Sequence, residues 1–200
     1  MFNIRIVDMG NACQIKKHYS DVIQTREYRS PEVILEGHYD ETADIWSLAC
    51  MVFELATGDY LFEPKRGKTY TKDDDHLASI TELIGTPKDL DWLFSNDGVD
   101  GFYSKKGKLK RIKKLKPWPL QDVLIEKYNM KYGEALFLSR FLNRMLAWRP
   151  KDRASAYKLL DDPWLKMAPE YSTRMSRPYH SEYMHANNPE YVSDESSSSS

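Results

Sequence analysis

Apolar and polar positions alternate from Phe2 to Val7, with Phe2, Ile4 and Ile6 on one side, until Asp8-Met9-Gly10 ends the run. That period predicts a short strand entering a turn. From Asp40 to Thr57 the spacing changes: Ile45, Leu48, Met51, Val52 and Leu55 recur at helical period, and Ala49 and Phe53 widen the apolar surface. A deeply buried helix is predicted, with Asp40 as N-cap and Gly58 as its C-terminal stop. After the polar stretch Lys65 to Asp73, a second helix carries Leu77, Ile80, Leu83 and Ile84 on its apolar side. Asp73, Asp74 and Asp75 suit the positive end of that helix, and Gly85-Thr86-Pro87 closes it. The pattern dissolves over about residues 86–119, where Gly98, Gly101 and Gly107 accompany a basic run from Lys105 to Lys116, and this stretch reads as an insert. Helical spacing resumes in WPLQDVLIEKY, in Glu134 to Ala147, and in Ser155 to Leu160 with Ser155 as cap, before Pro163-Trp164-Leu165 seals the end. The fold class is therefore mainly α, in one domain over residues 1–167. From 168 to 200 the chain is polar and ends in SDESSSSS, which predicts a disordered Ser-rich tail unable to bury enough surface to order itself.

Composition narrows the picture without changing it. Apolar residues make up 41% and aromatics 12% of 200 residues, enough for one domain with a real core. Lys and Arg total 29 against 30 Asp and Glu, so the net charge of −1 provides no global steering toward nucleic acid or an anionic membrane. Charge recognition is expected to be local. No run reaches the roughly 18 apolar residues of a membrane-spanning helix, and Met1 to Gly10 lacks a basic region followed by an apolar one. Cys13 and Cys50 form no Cys-x-x-Cys pair or disulfide framework, which fits a reducing, intracellular setting with both thiols buried as small hydrophobes. Trp46, Trp118 and Trp164 read as core or interface anchors.

Four motifs carry chemistry. Asp8 stands at a strand end before a turn glycine, where a carboxylate can ligate Mg²⁺ while Gly10 lets the backbone turn away. Thr25 to Val33 reads TREYRSPEV, Ala43 to Ser47 reads ADIWS, and Arg149 to Arg153 reads RPKDR, followed by Asp162-Pro163-Trp164. In this order they resemble the metal-binding triplet, activation-segment end, central helix and late arginine of protein kinases. Further strings narrow the resemblance: DMGNAC from Asp8, IQTREYRS from Ile23, ATGDYLFEP from Ala56, YTKDDDH from Tyr70 and LKPW from Leu115. Over about residues 2–166 the chain resembles the SR protein kinases, which phosphorylate serines in Arg/Ser repeats of splicing factors.

The resemblance implies the C-terminal lobe of the bilobal kinase fold. Asp8 would hold Mg²⁺ and, through it, ATP. Glu32 and Arg153 would form a buried ion pair, Asp44 would accept amides of a catalytic loop, and Trp46 would anchor the central helix. Glu27 and Arg29 would lie beside the phospho-acceptor, and Asp59, Asp75 and Glu82, with Lys127 alongside, would make an acidic groove for Arg-rich segments. Guanidinium and carboxylate pair bidentately, so such a groove is chemically apt. Asp75 and Glu82, seven residues apart, fall two turns along one helix face. In this family the short activation segment is held without phosphorylation, and Tyr19 and Ser20 are the hydroxyls available within Lys16 to Gln24. A glycine-rich loop, an ATP lysine and the catalytic-loop Asp and Asn are all absent from these residues, so the chain alone is expected to be inactive. Two other readings stand beside this one: a noncatalytic module that keeps only the docking groove, and a truncated form of a complete enzyme. The expected partners are Arg/Ser-rich proteins, without direct nucleic-acid or membrane binding, for a monomer of cytoplasm and nucleus.

Overall fold

In a computed structural model of the chain, residues 5–15 and 17–166 are described. Helices dominate, and among the described residues the only β-pairing is two isolated bridges, Gln14 with Lys17 and Tyr103 with Leu109. The expected strand from Phe2 to Val7 is corrected in part: residues 2–4 lie outside the described residues, and 5–7 form no strand and bond no neighbouring backbone. A strand needs a partner edge for its amides and carbonyls, and the described residues offer Arg5 to Val7 none.

The elements in order are α1 (Pro31–Ile34), α2 (Thr42–Thr57), α3 (Lys72–Ile84), α4 (Leu90–Phe94), α5 (Val99–Phe102), α6 (Leu120–Glu126), α7 (Tyr132–Asn143), α8 (Ala156–Leu159) and α9 (Pro163–Lys166). Single 3-10 turns precede α1 at Met9–Asn11 and Arg26–Tyr28, and another at Pro150–Asp152 precedes α8. No helix among the described residues is long and apolar enough to cross a membrane. The compact unit runs to Leu165. The tail expected over 168–200 lies outside the described residues.

α2 is the centre of the core, but not with the face its apolar spacing suggests. Ile45, Trp46, Ala49, Cys50 and Phe53 are buried, whereas Leu48, Met51 and Leu55 face outward, Leu55 at 78% exposure. The helix is apolar nearly all round, so periodicity cannot say which stripe meets the core. Its N-cap is Glu41, while the Asp40 carboxylate accepts from the Thr42 amide and hydroxyl one position earlier. Gly58 ends it at φ 85°, in the left-handed region that glycine enters without steric cost.

α3 begins with a full capping box: the Thr71 hydroxyl accepts from the Asp74 amide, and the Asp74 carboxylate accepts from the Thr71 amide and hydroxyl. The stretch read as a loop-like insert contains α4 and α5, started by the Asp89 carboxylate accepting from the Trp92 amide. α7 runs Tyr132–Asn143 instead of Glu134 to Ala147, and α8 is shorter than expected, though Ser155 caps it by accepting the Lys158 amide. Phe141 of α7 stacks on Trp164 of α9 at 4.8 Å between centroids. Cys50 is buried, but Cys13 is exposed, a correction to its reading as core, because it lies in a stretch, residues 5–15, that buries none of its side chains.

Candidate functional site

The innermost feature is an ion pair. Arg153, just after the Pro150–Asp152 turn, donates from both terminal nitrogens to Glu32 of α1, at 2.7 and 2.5 Å, and both side chains are 0% exposed. Its remaining donors reach the carbonyls of Ala147, Thr42 and Trp148. The guanidinium also lies 5.2 Å from the ring centroid of Trp46, which stacks on Phe62. A charge pair in so dry a setting is tolerated because every guanidinium N–H has somewhere to go. The pair fastens α1 to the segment ahead of α8, and through the Thr42 carbonyl Arg153 also holds the start of α2.

Ahead of α1, one amide organises the segment. Gln24, at φ 66°, donates from Nε2 to the Ala43 carbonyl and the Ser47 hydroxyl, each at 2.8 Å, and its Oε1 accepts from the Ser30 amide and hydroxyl. Ser47 in turn donates to the Tyr28 carbonyl. Sequence reasoning missed Gln24, since its four partner groups come from Ser30 and from one turn of α2, far along the chain. Arg29 donates to the carbonyls of Ile23 and Gln24, so it holds the same segment from the other side. Burial, and then the nearby Arg26 charge, lower its pKa from the usual guanidinium value. Glu27 is half-buried beside it. Tyr28 donates to Glu54 of α2 at 2.6 Å, and this bond, aided by burial, pushes the phenol up. Glu54 was also missed, because beyond Asp44 the helix was read only for its apolar and aromatic residues. Arg26 pairs with Asp73 at the start of α3.

Asp44 is exposed on the first turn of α2, and its carboxylate meets no donor among the described residues. Asp8 is likewise exposed, at φ 59°, with no side-chain partner among the described residues. No group of three or more His, Cys, Asp or Glu among the described residues is arranged to hold a metal ion. The residues present therefore do not by themselves fit a Mg²⁺–ATP site.

The acidic residues assigned to docking fall into two places. Asp75 and Glu82 share one face of α3: Asp75 accepts the Lys65 amide at 2.8 Å, and Glu82 accepts the Lys116 amide at 2.7 Å. Each of these bonds engages one carboxylate oxygen and leaves the other without a partner among the described residues. Asp59 lies after α2 and pairs instead with the end of α6, through Lys127 at 3.0 Å and the Tyr128 hydroxyl at 2.8 Å. Burial pulls the Asp59 carboxyl up, but the Tyr128 and Lys127 donors outweigh it, so the group sits below its ordinary range. Trp118 borders α3 through its amide, which donates to the Glu82 carbonyl, and its indole N–H donates to Glu126. At 40% exposure Trp118 is a rim residue, whereas Trp46 is fully enclosed.

Comparison with known proteins follows this geometry. The family described as protein kinase domain matches residues 1–165. Serine/threonine-protein kinase SKY1 of Saccharomyces cerevisiae is 52% identical over 167 residues, covering 83% of this chain and 22% of that protein. SRSF protein kinase 3 of Homo sapiens is 48% identical over 164 residues, 81% of this chain and 28% of its own length. Serine/threonine-protein kinase SRPK of Physarum polycephalum is 48% identical over 170 residues, 84% of this chain and 39% of that protein. The chain thus spans well under half the length of these relatives. With the family model matched over residues 1–165 and relatives of this identity over four fifths of the chain, the chain belongs to the protein kinase family, in its SR protein kinase group.

Proposed function

We propose that this chain is the C-terminal lobe of a Ser/Thr protein kinase that transfers the ATP γ-phosphoryl group to serines of Arg/Ser-rich proteins, and that it holds their Arg-rich segments on its acidic face. The observation that carries the docking part is the pair Asp75 and Glu82 on one side of α3, each anchored by one backbone amide. Anchored carboxylates cost little side-chain entropy on binding, and a guanidinium can reach the oxygen left over. Asp59 is a weaker candidate for the same task, because Lys127 and Tyr128 already occupy it. Asp8 is assigned as one Mg²⁺ ligand, and Glu27 and Arg29 as walls of the acceptor region. The same reading makes the protein a monomer of cytoplasm and nucleus, bound to neither nucleic acid nor membrane.

A second reading, a docking module without catalysis, is favoured by one observation. The acidic face, Asp75 and Glu82 with their backbone anchors, lies wholly among the described residues. Both readings share a first test: fluorescence anisotropy of an Arg/Ser peptide with the full chain and with Asp75→Lys/Glu82→Lys. Reversing two charges should weaken binding by more than alanine replacements do, and the parent's affinity should fall as salt shortens screening to about 8 Å at physiological strength. Equal affinity in a folded double variant would remove the docking assignment.

A further inference from the structure

The basic run from Lys105 to Lys116 takes no part in the features above except at two anchors. It holds eight Lys or Arg and no acid in twelve residues, within a chain of net charge −1. Its backbone is folded down, not free. The Ser104 amide bonds the Lys108 carbonyl at 2.8 Å, Gly107 turns at φ 68°, and the Lys110 amide bonds the Phe102 carbonyl at 2.8 Å. Tyr103 and Leu109 are buried, and Ile112 and Leu115 pack against the core. The apolar residues thus point inward and the cations outward. Arg111 is tethered to Asp74 at 2.8 Å and Lys110 to the Asp100 carbonyl. The other six, Lys105, Lys106, Lys108, Lys113, Lys114 and Lys116, are exposed, and their ammonium groups meet no partner among the described residues.

This ribbon lies against the acidic face of α3. The Lys116 amide is bonded to Glu82, and Arg111 is bonded to Asp74, next to Asp75. A pure polyanion would meet repulsion from that face. A chain that alternates anions with arginines would satisfy both sides. Phosphoserine carries a charge of about −2 at neutral pH, so an arginine–phosphoserine repeat is net negative yet keeps its guanidinium groups. Lys114 and Lys116 stand two residues apart around half-buried Leu115, the recurrence of serine in such a repeat. Residues 105–116 contain no aromatic side chain on which nucleic-acid bases could stack.

We propose that the outer edge of residues 105–116 binds the phosphorylated form of an Arg/Ser-rich peptide. The lysines take its phosphates while its arginines turn toward Asp75 and Glu82. The identity of the peptide rests on the kinase reading above; the lysines that take the phosphates are a different set of residues from the docking carboxylates.

The test uses the full chain and three labelled probes: an Arg/Ser repeat, the same repeat phosphorylated on every serine, and a single-stranded RNA of equal negative charge. Lys108→Glu/Lys113→Glu/Lys114→Glu replaces only exposed, unpartnered residues, and circular dichroism checks that it folds. Its affinity for the phosphopeptide should fall about tenfold or more, while the matching triple Lys→Arg variant stays within about twofold of the parent. Binding of the unphosphorylated repeat should be unchanged or tighter in the Glu variant. Equal phosphopeptide affinity in parent and Glu variant overturns the proposal. So does RNA that binds more tightly than the phosphopeptide and is lost in the same variant. If instead the unphosphorylated repeat ignores Asp75→Lys/Glu82→Lys while the phosphopeptide still responds to the lysine reversals, the docking reading fails and the ribbon stands.

Discussion

Glu32 and Arg153 meet out of reach of water, so what either contributes depends on the other. Glu32→Ala leaves a buried guanidinium uncompensated and should cost about 3–5 kcal/mol in a urea unfolding measurement. Glu32→Leu with Arg153→Met should cost less than either single change, because an apolar pair carries no desolvation penalty. An additive double variant would contradict that account. His76 makes a second residue-scale case. It is wholly buried in α3, both ring nitrogens lack a partner among the described residues, and burial, with help from Arg26 and Arg29, lowers its pKa to about 3. In the unfolded chain the ring takes a proton near its ordinary value of about 6.5, whereas in the folded chain it stays neutral until about 3. Between those values the unfolded state binds more protons, so stability falls as pH falls, by on the order of 1 kcal/mol per unit. His76→Leu should flatten that slope in melts between pH 4 and 6 (roughly the interval where the two states differ in protonation), and should hold stability near neutrality, since it removes unpaired polar atoms. An unchanged slope would mean that His76 is not the group responsible.

At the scale of elements, Asp74 carries two loads. It completes the capping box of α3 and pairs with Arg111 of the basic ribbon. Thr71→Ala removes both bonds of the cap hydroxyl, keeps the bond from its amide to the Asp74 carboxylate, and should cost about 1 kcal/mol. Asp74→Ala removes the box and the tether together, so it should cost more and also speed amide exchange at Lys110 and Lys116. Protection at those amides equal to the Thr71→Ala protein would separate the two loads. α2 presents the opposite situation: Leu48, Met51 and Leu55 form an exposed apolar stripe on an otherwise enclosed helix. An apolar stripe of this kind promotes self-association. Met51→Lys/Leu55→Lys should therefore lower the scattering mass of the purified chain without lowering its melting point. A parent that is already monodisperse would show that the stripe is harmless.

For the molecule as a whole, the 200 residues by themselves should transfer no phosphate from labelled ATP to an Arg/Ser peptide. They hold neither an ATP lysine in its glycine-loop setting nor a catalytic-loop Asp, and Asp8 meets no side-chain partner among the described residues. Transfer by a preparation free of other kinases would refute this. Much of the architecture is legible without coordinates. Helical period locates α2, α3, α6 and α7, capping residues place the starts of α3 and α8 to within a residue or two, and the ordered motifs point to the kinase family. These are local properties, written in spacing and in the hydrogen-bonding needs of helix ends. What tertiary structure alone decided is which partners meet. Apolar residues surround α2, so only packing chose Ala49, Cys50 and Phe53 over Leu48, Met51 and Leu55 as its buried side. Gln24 is an ordinary polar residue until the fold brings Ser30, Ala43 and Ser47 around its amide. The basic run reads as loop until buried Tyr103 and Leu109 pin it down and turn its lysines outward. Burial and pairing depend on residues far apart in the chain, and local spacing carries no information about which of them will meet.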